Sequence, residues 1–76
     1  MARYTVRQGH CYRAKIRLGF VESWADNETV ADRIRKAGFT EVKVTGSGRT
    51  REATGLWPLP DAAADLPDQV INPIEV

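Results

Sequence analysis

The sequence is nearly without cysteine and histidine: Cys11 and His10 are the only residues of either kind among 76. One cysteine excludes an intramolecular disulfide and a metal site built on cysteines, and one histidine adds little as a ligand set. No apolar run reaches the length of a membrane-crossing helix, and the opening Met-Ala-Arg-Tyr-Thr-Val-Arg holds no apolar stretch of signal-peptide length. These absences lead us to expect a soluble chain in a reducing cytosol, with no cofactor, no metal and no membrane contact. Also missing is any basic residue beyond Arg51.

That last absence divides the charge. Residues 1–57 hold all eleven Lys and Arg against six acids, a net +5, whereas residues 58–76 hold Asp61, Asp65, Asp68 and Glu75 with no base, a net −4. The sequence therefore predicts a basic domain, residues 1–57, followed by an acidic extended tail, residues 58–76, punctuated by Pro58, Pro60, Pro67 and Pro73. A chain this short forms one domain with a small core, worth roughly 3–5 kcal/mol net, which favours a partner or self-association.

Residues 3–20 alternate with a period of two, the mark of a strand with one buried face. Tyr4, Val6, Tyr12, Ala14, Ile16, Leu18 and Phe20 fall in one phase, and Arg3, Arg7, Arg13, Lys15 and Arg17 in the other. Gly9 is able to split this run into a hairpin through Gln8-Gly9-His10, opposing Val6 to Tyr12 and Tyr4 to Ala14; an unbroken strand keeps the same two faces. A helix follows, capped by Asp26 or Asn27, with Glu28 in its first turn, an apolar stripe of Val30, Ala31, Ile34 and Ala37, an Asp32–Lys36 pair, and a stop at Gly38. Trp24 is expected to cover one end of it.

Residues 40–57 read as a hairpin turning at Gly46-Ser47-Gly48-Arg49, with Thr45 opposite Thr50, Lys43 opposite Glu52 and Val42 opposite Ala53. Val42, Val44, Ala53, Gly55 and Trp57 then face inward. The expected fold is α+β: one helix on one face of a small, three- to four-stranded, mainly antiparallel sheet. Leu66, Val70, Ile71, Ile74 and Val76 make the tail too apolar to serve as a plain solubiliser and mark it as a docking segment.

Chemical motifs are sparse. Gly46-Ser47-Gly48-Arg49-Thr50 lacks the Lys-Ser/Thr of a phosphate-binding loop and leads into a strand, so it reads as a turn. Cys11 and His10 are adjacent in a strand and point to opposite faces, a poor arrangement for nucleophile and base. Asp26, Glu28 and Asp32 have capping and solvation duties on the helix, and Trp24 and Trp57 are expected in the core. The exception is the basic stripe Arg3, Arg7, Arg13, Lys15 and Arg17, joined by Lys43: like charges gathered on one sheet face without an acid among residues 3–17. Such a face suits an acidic protein segment, this chain's own tail included. A nucleic acid is the rival partner, weakened by the lack of aromatics in the basic phase.

Residues 12–18 (Tyr-Arg-Ala-Lys-Ile-Arg-Leu), the helix at 29–39 ending Lys-Ala-Gly-Phe, and Glu-Val-Lys-Val at 41–44 with a second strand are together similar to half of a sporulation-related repeat (SPOR) domain. That resemblance implies a four-stranded sheet carrying helices and peptidoglycan glycan as ligand; the second helix of that family has no counterpart here. In size and style the chain also resembles small bacteriophage and prophage proteins, which implies a virion or accessory role. The reading of residues and resemblance together is a non-enzymatic binding or assembly module.

Overall fold

Two breaks in the period-two pattern, at Gln8-Gly9 and after Arg17, decide how the strands are distributed. The computed structural model describes residues 2–19 and 24–76. Its elements run β1 (Ala2–Val6), β2 (Cys11–Arg17), α1 (Asn27–Lys36), β3 (Thr40–Ser47), β4 (Thr50–Leu56), β5 (Ala62–Leu66) and β6 (Val70–Glu75). Among the described residues one helix and two antiparallel sheets make the fold α+β, as expected. A four-stranded sheet has the order β3-β4-β2-β6, and β1 and β5 form a separate two-stranded ribbon.

The expected extended tail is corrected: residues 62–66 and 70–75 are strands of these sheets. β5 pairs with β1, Tyr4 opposite Ala64 and Ala2 opposite Leu66, and β6 pairs with β2, Tyr12 opposite Glu75 and Ile16 opposite Val70. Ala64, Leu66 and Val70 are buried with Val6, Ile16, Val30 and Ile34 in one core. The prolines stand where a missing N–H does least harm. Pro73 lies in edge strand β6, beside a register shift in its pairing with β2, and Asn72 takes a left-handed φ of 47°.

The β1–β2 hairpin is likewise not formed. Val6 and Tyr4 find Ala62 and Ala64 opposite them, while Tyr12 and Ala14 face Gly55 and Ala53 of β4. Gly9, with a φ of 79°, turns the chain from the ribbon into the larger sheet and donates its N–H to the Trp57 carbonyl at 2.7 Å. The alternation survives the turn in phase: Val6, Tyr12, Ile16 and Leu18 are buried, and Arg3, Arg7, Arg13, Lys15 and Arg17 are exposed. Phe20, assigned to the buried phase from sequence, lies outside the described residues.

Asp26 is the N-cap of α1, accepting the Thr29 N–H at 2.8 Å. Val30, Ala31 and Ile34 are its buried stripe. The anticipated Asp32–Lys36 pair is replaced by Arg35, whose Nη1 reaches both Asp32 and Glu28, at 2.7 Å and 2.6 Å; one guanidinium with several donors bridges two acids that an ammonium one turn away would meet singly. Trp24 does not cover the helix, being 79% exposed. Arg51 instead ties the side chain of Asn27, the first helical residue, to the β3–β4 turn, and Trp57 lies at the other end, so close to Gly38 that a Cβ there would lie 2.8 Å from its ring.

Phe39 lies between two rings, 5.0 Å from Trp57 and 6.3 Å from Tyr12, edge to face with both. The small size of Gly55 serves Phe39, whose Cβ stands 3.4 Å from where a Gly55 Cβ would be. The β3–β4 register is shifted by two residues from the expected one: Ser47 opposes Thr50, Thr45 opposes Glu52 and Val44 opposes Ala53. A two-residue loop, Gly48-Arg49, with Gly48 at a φ of 73°, wins over the four-residue turn because short hairpin loops with a leading glycine match strand twist. A shift of two keeps every side chain on its face.

Candidate binding face

The helix and the aromatic core occupy one face of the four-stranded sheet, so the odd-numbered residues of β2 project from the other. Strand pairing sets their neighbours in rows. Lys43, Thr54, Arg13 and Ile74 form one row, Thr45, Glu52, Lys15 and Ile71 the next, and Ser47, Thr50 and Arg17 a third. Arg13, Lys15, Arg17 and Lys43 are exposed, and none of the four side chains hydrogen-bonds or ion-pairs with another described residue. A shallow depression of about 500 Å³ runs beside β2, its walls including Arg13, Lys15, Glu52, Ile71, Asn72 and Ile74.

Ile71 and Ile74 reach this face through the irregularity in β6. Residues three apart on a regular strand point opposite ways, but β6 carries an additional residue between its pairings with Lys15 and Arg13, which restores Ile74 to the side of Ile71. The tail-docking set from sequence thus separates by role. Leu66 and Val70 are core residues, Ile71 is half-buried, and Ile74 and Val76 are 50% and 62% exposed. The clue to the outward isoleucines was Asn72-Pro73, a dipeptide suited to an edge-strand bulge.

The basic set separates too. Arg3 and Arg7 belong to the ribbon and its turn and are engaged by the acids of β5 and β6. Arg3 Nε donates to Asp65 at 3.1 Å. Arg7 donates through Nε and Nη2 to both Glu75 oxygens, at 3.1 Å and 2.8 Å. Glu75 also meets His10 Nδ1 at 3.0 Å and accepts from the Tyr12 hydroxyl at 3.3 Å, which itself accepts the Arg7 N–H at 2.7 Å. The hydrogen bonds from Arg7, then its charge and those of its neighbours, hold the Glu75 carboxyl below its usual range, and Arg7 is correspondingly raised by Glu75. Asp61 accepts the Gln8 N–H at 2.7 Å. The acidic segment therefore meets the first two cations in cis, and its strands do not cross the outer face of β2.

Arg51 is 5% exposed and, opposite the buried Ile16, lies on the helix side of the sheet. Its Nη1 donates to Asn27 Oδ1 at 3.1 Å and its Nε to the Gly48 carbonyl at 3.3 Å, while Asn27 Nδ2 donates to the Gly46 carbonyl at 3.0 Å. These bonds fasten the helix N-terminus to the β3–β4 turn. Hydrogen bonds with Thr29, ahead of the nearby Arg51 charge, lower the Asp26 carboxyl.

The acids on α1 are thus occupied by capping and by Arg35, which they raise. Cys11 is exposed on the outer face opposite Leu56, and His10 turns to Glu75. Among the described residues no group of three or more His, Cys, Asp or Glu is gathered as a metal site, and no helix is long and apolar enough to cross a membrane. Comparisons with protein-family models, curated proteins and solved structures found no match to this chain.

Proposed function

We propose that this chain is a non-enzymatic binding module that takes an acidic segment of another protein on the outer face of its four-stranded sheet. The observation that supports it is a row of three exposed cations, Arg13, Lys15 and Arg17, none of them ion-paired with an acid among the described residues, while Arg3 and Arg7, one turn of chain away, are paired. Unpaired like charges repel one another, and an anionic partner removes that repulsion. The flanking Ile71 and Ile74 give such a partner apolar area to bury, which a purely ionic ligand leaves unused. A symmetric dimer through this face is disfavoured, because twofold pairing sets four cations against four with Glu52 as the acid between them. The virion-accessory likeness is compatible with this role as an assembly contact.

Titration of the ¹⁵N-labelled chain with an oligoglutamate peptide tests the reading. Amide shifts should centre on β2, weaken as salt rises, and vanish in an Arg13→Glu, Lys15→Glu variant whose melting is unchanged. Shifts centred elsewhere, or undiminished in that variant, would sink it.

Nucleic acid is the second reading, carried by the regular spacing of the same cations. It requires binding of short single-stranded DNA or RNA with a log–log salt slope of about −3 for four neutralised phosphates. The outer face shows no exposed aromatic among its described residues, so base stacking has no platform there. The same lack weighs against the glycan ligand that the SPOR resemblance implies.

A further inference from the structure

The partner's secondary structure can be argued from the two parallel rows on the outer face, given the binding reading above, on which this step rests. Along β2 the cations Arg13, Lys15 and Arg17 recur at about 6.7 Å, the two-residue repeat of a strand, and Ile74 and Ile71 of β6 stand beside the first two at about 4.8 Å, the distance between neighbouring strands. A partner that uses both rows must present acids at about 6–7 Å along one line and apolar groups along a second line about 5 Å away.

A single extended segment cannot do so. Its side chains alternate between faces, so the side laid on the sheet offers one residue per 6.7 Å or so, enough for the cation row or the isoleucine row but not for both. A helix can. Residues i, i+4 and i+8 recur at about 6 Å along its axis, and i+3 and i+7 form an adjacent stripe on the same side. Long, flexible arginine and lysine side chains absorb the small mismatch between the two repeats. We infer that the occupant of this face is an acidic amphipathic helix lying along β2, with its carboxylates over Arg13, Lys15 and Arg17 and its apolar stripe on Ile71 and Ile74.

The sheet would then carry a helix on each face, a stable layered arrangement for a sheet with one side open. This chain's own α1 is no candidate in a neighbouring copy, because Val30 and Ile34 are buried in its core and Glu28 and Asp32 are held by Arg35. The occupant is a different protein.

Two peptides of identical Glu, Leu and Ala composition, each about fifteen residues with blocked ends, distinguish the cases. One places Glu at i, i+4 and i+8 with Leu at i+3 and i+7; the other alternates Glu and Leu. Each is titrated to millimolar concentration into the full ¹⁵N-labelled chain at low salt. The helical-period peptide should bind at least about tenfold more tightly, the effect of burying one more large apolar side chain. It should gain helicity by circular dichroism and shift amides of both β2 and β6, and Ile74→Ser should remove most of its advantage. Equal or tighter binding of the alternating peptide overturns the helix while leaving the acidic-segment reading in place. Binding by neither overturns both. A fluorophore on Cys11, exposed at the end of the same face, gives an independent signal of docking.

Discussion

Arg7 and Glu75, 68 positions apart, form a two-pronged ion pair in which each carboxylate oxygen receives its own N–H. Through it the turn leaving β1 is held to the last residues of β6, so the basic and acidic ends of the sequence are parts of a single folded unit.

Loss of this pair should be visible as a pH-dependent change in melting. The Glu75 pKa is lowered on folding, so its contribution is present above the unfolded value, about 4.5, and is lost as pH falls through the lower folded value. Glu75→Gln should lower the melting temperature by a few degrees at pH 7, and the gap to the wild type should close under strong acid. An unchanged gap at pH 2 would show that the side chain acts by packing instead.

Leu66→Ala tests whether the acidic segment is structural. A buried leucine truncated to alanine costs about 2–5 kcal/mol, comparable to the whole net stability of a domain this small. Urea or thermal unfolding should therefore find the variant largely unfolded or nearly so, whereas a tail resting loosely on the surface would tolerate the change. Ile74→Ala, at an exposed position of the same segment, should leave stability close to wild type.

Gly38 should reject any side chain. Its φ of 121° disfavours L-residues, and an added Cβ would lie 2.8 Å from the Trp57 ring. Gly38→Ala is expected to cost about 1–3 kcal/mol, with a shift in tryptophan emission as Trp57 moves. Gly9→Ala, which meets open space but carries the same backbone restriction, should cost less.

Removing Arg51 should loosen the helix from the hairpin. Arg51→Met keeps the apolar stem but leaves Asn27 Oδ1 and the Gly48 carbonyl without this donor, an expected loss of about 1–3 kcal/mol. Hydrogen exchange should accelerate first at the start of α1 and the β3–β4 turn. Faster exchange confined to β1 and β5 would contradict this assignment.

What could be read from the sequence was local. The phase of residues 3–18, the Asp26 cap, the Gly38 stop and the inward Val42, Ala53 and Trp57 all follow from periodicity or from backbone preferences of single residues, and they hold. Partner choice between distant segments carried no such signal. Val6 packs equally well opposite Tyr12 or Ala62 by pattern alone, and the decision rests on tertiary burial of Ala64 and Leu66. Prolines misled in the same way: Pro73 argues against an interior strand but not against an edge strand with a bulge. The candidate face was half legible, because alternation displayed Arg13, Lys15 and Arg17, while the β6 isoleucines beside them required the register shift to be known.

The long reach from β2 to β6 also orders the folding process. Helix α1 and the β3–β4 hairpin close through nearby residues and can form early, but the second flank of β2 stays open until residues 70–75 arrive, and distant closures of this kind slow folding. During that interval Cys11–Arg17 is an unprotected strand, the sort of edge on which other nascent chains add and aggregate. Its alternate cations repel such additions. The residues of the proposed binding face would thereby act as guards on the unfinished chain, and replacing all three with neutral residues should show first as poor refolding yield.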